Sequence, residues 1–454
     1  MSDPKTVAAF RFGYGLPLPP GAAVTPGAML TALAGPDLMA ADYPIPGMAQ
    51  VLPLLQMAAE GRKARRMMPQ AKMSNDMFDA AISQAGEIAE NAARSIMARA
   101  VDSPDGFRER LSAFWFDHFT VKSRNKPERT IVEAFVTDAI RPHLSGQFAD
   151  LLIAAVLHPA MLVYLDQVAS VGPRSRYGKR TGRGLNENLA REVIELHTMG
   201  VGAGYGQQDV RQMAELLTGL DATAKEGFVF RQNRAEPGME QVLGRDYDGK
   251  GLAPIRDVLR DLAMRPETAM HLSRKLVVHF IADDPDEGLV SAMAETWHAT
   301  GGDLASVYAT MLAHPAAWAP QFPKARQPFD FIVASCRALG VNGARIMGME
   351  RREFRNILIR PMALMGQNWR NPNGPDGWAE AAGAWITPQG MAARIGWAMR
   401  APRKLLAELP DPRILVSHAL GDTADEAVIW AVARAETSAE GVGIVLSSPA
   451  FNRR

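Results

Sequence analysis

Four times in this chain an apolar helical pattern stops and a proline follows: VLHPAM at 156–161, AMRPET at 263–268, LAHPAA at 312–317 and LSSPAF at 446–451. Proline lacks an N–H and has a fixed φ, which suits it to the first position of a helix. Each segment therefore reads as the end of one helix and the start of another. Helical periodicity runs through 51–103, 106–120, 128–140, 147–156, 160–169, 185–199 and 207–218. It resumes at 253–264, runs with short breaks to 359, and returns from 389 to 446 after the irregular stretch 360–388. The unequal intervals between joints argue against a solenoid. The class expected is all-α, a multi-helix bundle or array.

Two regions depart from this pattern. Residues 1–50 are rich in Pro and Gly and read as an irregular arm with one short helix near 27–34. In 221–250, GFVFRQN alternates like a strand, and EQVLGRDYDG can pair with it as a small hairpin near 227–248. The rest, 51–454, reads as one large helical domain, its only candidate sub-boundary being 221–250.

Composition matters here for what it excludes. A net charge of +1 gives no long-range field for nucleic acid or an anionic membrane, and no apolar run is long enough to span a bilayer. The single cysteine, Cys336, excludes an internal disulfide framework and sits in an apolar pattern that makes it an inert buried thiol. The first 21 residues lack a basic start followed by an apolar stretch, so they do not read as a secretory signal and a cytoplasmic location is expected. The basic cluster Arg62, Lys63, Arg65 and Arg66 reads as a solvated helix face.

The richest polar chemistry lies in GLNENLAREVIELHTMG at 184–200. At about 100° per residue, Leu185, Leu189, Val193, Leu196 and Met199 share one apolar arc, and Glu192 falls inside it. Asn188 and Glu195 sit on one border of the arc, Asn186 and His197 on the other. A carboxylate on a core-facing stripe is costly unless paired, protonated or metal-bound. Glu192 is thus expected to be buried against an arginine or another polar group, and its removal to cost about 3–5 kcal/mol. Arg191 can pair with Glu187 or Glu195 on the surface, and Asn186 can cap the helix. The spacing Glu192-x-x-Glu195-x-His197 lacks the Glu-x-x-His of a di-iron helix.

This stretch, with FWFDHF at 114–119, HPAMLVYLD at 158–166, VLGRDYDG at 242–249, RKLVVHFIADDP at 274–285 and NPNGPDGW at 371–378, resembles the bacterial domain-of-unknown-function family 1800 over nearly the whole chain. The resemblance implies export for many relatives. It also implies an association with a protein of the uncharacterised family 1501, which is similar to the alkaline-phosphatase superfamily. Relatives tend to carry two histidines where this chain has Arg265-Pro266 and RAEPG at 234–238, so no metal ligand set is assigned and no cofactor is implied.

Other candidate residues surround the signature. His118, beside Asp117, is either a core histidine bonded to a carbonyl or a general base. Asp166 ends an apolar helix and precedes a basic loop at 171–184, which is either a lid or a connector. His271 and Lys275 share a helix face, and Arg274 beside them is a partner for Glu192 or Asp166. The loop 360–385 carries Trp369, Trp378 and Trp385 with Gln367, Asn368 and Asp376, and is expected to be ordered and to line a cleft with the 184–199 helix and the 171–184 loop. Such a cleft would take a small polar or anionic molecule.

Two functions follow. One is a helical binding or assembly protein whose buried polar network centres on 184–199. The other is a hydrolase-like or lyase-like acid/base enzyme with Glu192 and Asp166 as its carboxylates and Arg191 or Arg274 as an electrostatic clamp. No nucleophile triad, Walker or Rossmann pattern stands in its proper context.

Overall fold

The computed structural model describes residues 3–68 and 72–454. Residues 1–2 of the arm and 69–71 of the helical reading 51–103 lie outside the described residues. Among the described residues the chain is mostly helical, with two small antiparallel strand pairs. Among the described residues, no helix is long and apolar enough to cross a membrane.

Local chemistry starts most helices. Asp286, Asp303, Asn125, Thr387 and Thr437 each accept a backbone N–H with the side chain at a helix start. Three of the proline joints behave as expected, opening Pro159–Tyr164, Pro266–Phe280 and the 3-10 turn Pro315–Trp318. In two of them the imidazole is the cap: His158 Nδ1 accepts from Ala160 N at 3.1 Å and His314 Nδ1 from Ala316 N at 3.3 Å. The fourth, at Ser448-Pro449, leads into a turn that ends the chain against Lys324 and Arg326 rather than into a helix.

Three details differ from expectation. The arm carries helices Pro4–Arg11, Pro26–Ala34 and Leu38–Asp42 rather than one, and Phe12 is buried among Phe107, Phe280 and Trp318. Segment 227–230 pairs with 220–223, while 240–242 pairs with 245–247 across Leu243-Gly244, both at positive φ. There are thus two tight hairpins instead of one wide one. The signature helix is Asn188–Glu195; it then widens, with Leu196 N and His197 N both bonding Glu192 O, and closes at Gly200, whose φ is 91°.

The apolar side chains form two large cores. One runs from Phe107 and Trp115 through Val193 to Trp297 and Tyr308. The other gathers Met97, Phe331, Cys336, Trp397, Leu446 and Phe451. Burial pushes the Cys336 thiol up to about 12, which suits an inert core residue. The Gly106–His118 helix belongs to the first core and Pro328–Ala338 to the second, so the seam between cores runs between these two helices.

Candidate functional site

Charged side chains cross the seam in closed pairs. Arg110 meets Asp330 at 2.7 Å, and Arg454 reaches the same carboxylate at 3.2 Å. Arg110 also donates to His279 Nε2 at 3.1 Å, so His279 gives its Nδ1–H to Glu380 at 2.6 Å. Lys324 reaches Glu380 and Asp283. Burial alone would push both carboxyls up. Arg110 and Arg454 hold Asp330 below its ordinary value, and His279, Arg454 and Lys324 do the same for Glu380. This network, rather than one centred on 184–199, is the deep polar core of the molecule.

Beside it opens a cleft of about 1040 Å³, counting solvent at its mouth. One wall is the face of Gly106–His118 that bears Glu109, Arg110, Phe116 and Asp117; another is formed by Gln327, Phe329 and Asp330. The tryptophan loop roofs it with Gln367, Asn368, Trp369, Arg370 and Trp378. The loop is ordered because it is clamped at both ends. Gln367 bonds Phe329 N and Gln327, Arg370 lies 3.6 Å over the Phe116 ring and pairs with Glu133, and Trp385 is buried. Trp378 N–H donates to the Asp117 carboxylate at 3.0 Å, an approach that only Gly377 allows, since a Cβ there would lie 2.6 Å from Asp117 Oδ2.

Behind Asp117 stands a second group of charges, and it is unpaired. Half-buried Lys275 makes its one hydrogen bond to His118 Nδ1, at 3.1 Å, and no carboxylate comes within ion-pair distance. His118 is fully buried; its Nε2–H donates to the carbonyl of His197 at 3.2 Å, which leaves Nδ1 as the acceptor. The carbonyl bond is the core-histidine role; the other nitrogen is taken by Lys275 rather than left open as a base. His197 Nδ1 and His271 Nε2 are buried without partners nearby, and Gly200 packs where a Cβ would strike His271. Burial, then Lys275, drives His118 well below its ordinary value. Burial also lowers Lys275, opposed by Asp117, Glu380 and Asp376. Asp117 is raised to about 7 by burial and by Glu380, against the Trp378 N–H.

Glu192 is connected to this group only through the charge of Asp376. Its carboxylate is half-buried, makes no hydrogen bond or ion pair, and is raised to about 7 by burial, then by Glu195 and Asp376. The expected arginine partner is absent: Arg191 lies on the surface between Glu195 at 3.0 Å and Glu187 at 3.6 Å, and bonds Gln207. Arg274 pairs outward with Glu287, not with Glu192 or Asp166, because its position on the Pro266–Phe280 helix faces away from Lys275. Asp166, left-handed at φ 58°, pairs with Arg124 at 2.7 Å on the surface. Asn186 caps through an Asx turn to Asn188 N at 2.9 Å and reaches Asp166 O at 3.4 Å, while Asn188 is exposed.

The three-element cleft expected from the sequence does not form. The cleft has no wall from 184–199 or from 171–184. The basic loop contains a helix, Arg176–Thr181, and docks on 233–236, where Arg174 pairs with Glu236 and Tyr177 stacks under Arg234. What joins the tryptophan loop to the signature is Asp376, which acts electrostatically on both Glu192 and Lys275. Of the residues expected at a site, Gln367, Trp369 and Trp378 meet in the cleft and His118 and His197 meet near Lys275; Glu192 is linked to Lys275 only through Asp376, and Asp166, Arg191, Arg274, Asn188 and Glu195 join neither. Among the described residues, no group of three His, Cys, Asp or Glu is set to hold a metal ion.

A family model described as "Protein of unknown function (DUF1800)" matches residues 22–453. No curated protein and no solved structure matches the chain.

Proposed function

Because the chain belongs to the DUF1800 family, whose description names no function, we propose one from the geometry: the protein binds a small polar molecule in the cleft at the seam and carries out acid/base chemistry on it with Asp117. The observation that carries this reading is Asp117 itself. It borders the cleft, has no cationic partner within ion-pair distance, is held by a backbone N–H, and is poised at about 7. A carboxyl poised near neutrality can both give and take a proton at working pH. Lys275 stands behind it as the charge that limits how far it rises, and His118 fixes Lys275. Four segments that carry the family resemblance supply this group: FWFDHF, the signature, RKLVVHF and NPNGPDGW.

Infrared spectra of the carboxyl stretch test the reading. Between about pH 5 and about pH 8 the protonated-carboxyl band should lose intensity in the wild type, and the Asp117→Asn difference spectrum should show one fewer such carboxyl, with that of Glu192 remaining. If Asp117 titrates as an ordinary carboxylate, the acid/base role fails. The second reading, a non-catalytic binding or assembly protein, would then stand. It is favoured by the closed network Arg110–Asp330–Arg454, which ties the cores together with no ligand.

A further inference from the structure

The cleft walls contain several charges, and nearly all are already spent inside the protein. Both oxygens of Glu109 are held by Arg141 at 2.8 Å. Arg110 is paired with Asp330, Arg370 with Glu133, and Arg99 donates to the Tyr43 carbonyl at 2.6 and 2.9 Å. A charged ligand entering here would lose its hydration and find no unpaired counter-charge on the walls except Asp117 and the buried Arg99, whose N–H groups already serve the Tyr43 carbonyl. The neutral lining groups without a protein hydrogen-bond partner are the Tyr14 and Ser112 hydroxyls, the Asn368 amide and the Trp378 indole N–H; the Nε–H groups of Arg110 and Arg370 are also unpartnered, but the charges of both residues are paired with Asp330 and Glu133. They stand beside the rings of Trp369, Trp378 and Phe329.

We propose that the cleft takes a neutral, hydroxyl-rich ring, a sugar or similar polyol, with its C–H face on the tryptophan rings and its hydroxyls on Ser112, Asn368 and Asp117. This rests on the cleft reading above and narrows it to one chemical class. An aromatic face complements the apolar C–H side of a sugar ring, while the neutral donors and the one free carboxylate match hydroxyls, which both give and accept hydrogen bonds. The same inventory constrains the chemistry. Two-carboxylate glycoside hydrolysis needs a second free carboxyl beside the first. Glu109 and Asp330 are each held by arginine, so Asp117 acts alone.

Saturation-transfer NMR on the full-length protein tests this with maltose and cellobiose against glucuronic acid and glucose 6-phosphate. Binding of a neutral sugar, at least tenfold tighter than its charged counterparts and lost in Trp378→Ala, is the expected result. Asn368→Ala, at an exposed position, keeps the test valid if the tryptophan variant does not fold; it should weaken neutral-sugar binding several-fold. Charged sugars binding as well as neutral ones, or no sugar binding at all, would overturn the ligand class. The cleft reading is judged separately with phenol and indole as fragments. If their binding survives unchanged in both variants, the cleft is not the binding site and both proposals fall.

Discussion

The seam network and the Lys275 group are neighbours built from the same side chains, yet they differ in every pairing. At the seam Asp330 and Glu380 each have a cation within bonding distance and are held below their ordinary values. Around Lys275, Asp117 and Glu192 have none and are raised to about 7. Asp330 and Asp117 both border the same cleft. Burial is therefore not what separates them; a guanidinium within 3 Å is. Closed pairs hold structure, and open charges keep a proton equilibrium available.

The contrast breaks first, and with the largest effect, at Asp330. Asp330→Ala would leave Arg110 and Arg454 facing each other in the interior, and should cost about 3–5 kcal/mol by urea unfolding. A loss below about 1 kcal/mol would mean the seam pairs are not structural. Asp117→Asn should act in the opposite direction. A carboxyl whose folded pKa is raised contributes stability that is complete below its unfolded value of 3.8 and is lost as pH rises through about 7. The amide variant avoids that loss. Its advantage over the wild type should already be present at pH 5 and should grow by on the order of 2 kcal/mol between pH 5 and pH 8. A variant destabilised equally at both pH values would show that Asp117 is a paired structural carboxylate after all.

The sequence made one half of this comparison legible. A charged residue inside an apolar arc was the signal that singled out Glu192, and His118, His197 and the tryptophan loop followed from motif and composition. The same signal was present at Arg110, three residues after Phe107 and four before Phe114, and at Asp330 in PFDFIVASC, and it leads to the seam. Pairing was not legible. Arg110 and Asp330 are separated by 220 positions, and only the packing of two cores brings them together. Helix faces also decide more than adjacency does: Lys275 turns inward and Arg274, its neighbour, outward. The all-helical class was readable because caps and prolines act locally. The strand pairing at 220–247 was not, because alternation alone does not say which neighbour a strand takes.

The smallest effects belong to the two residues that sequence reasoning joined and the fold separates. Glu192→Gln should gain on the wild type as pH rises from the ordinary glutamate value of 4.5 through about 7, and only slightly, because the half-exposed carboxyl is screened by solvent. Arg274→Ala removes an exposed pair with Glu287 and should leave the urea midpoint where it was at both pH values. The double variant sharpens the point. If Glu192 and Arg274 were partners, their coupling in a double-mutant cycle would exceed about 0.5 kcal/mol and would grow as Glu192 ionises. With Arg274 turned outward and Glu192 facing Asp376, the two changes should add, and the coupling should stay near zero from pH 5 to pH 8. A coupling that appears only above pH 7 would place an arginine on Glu192 and close the group that the structure leaves open.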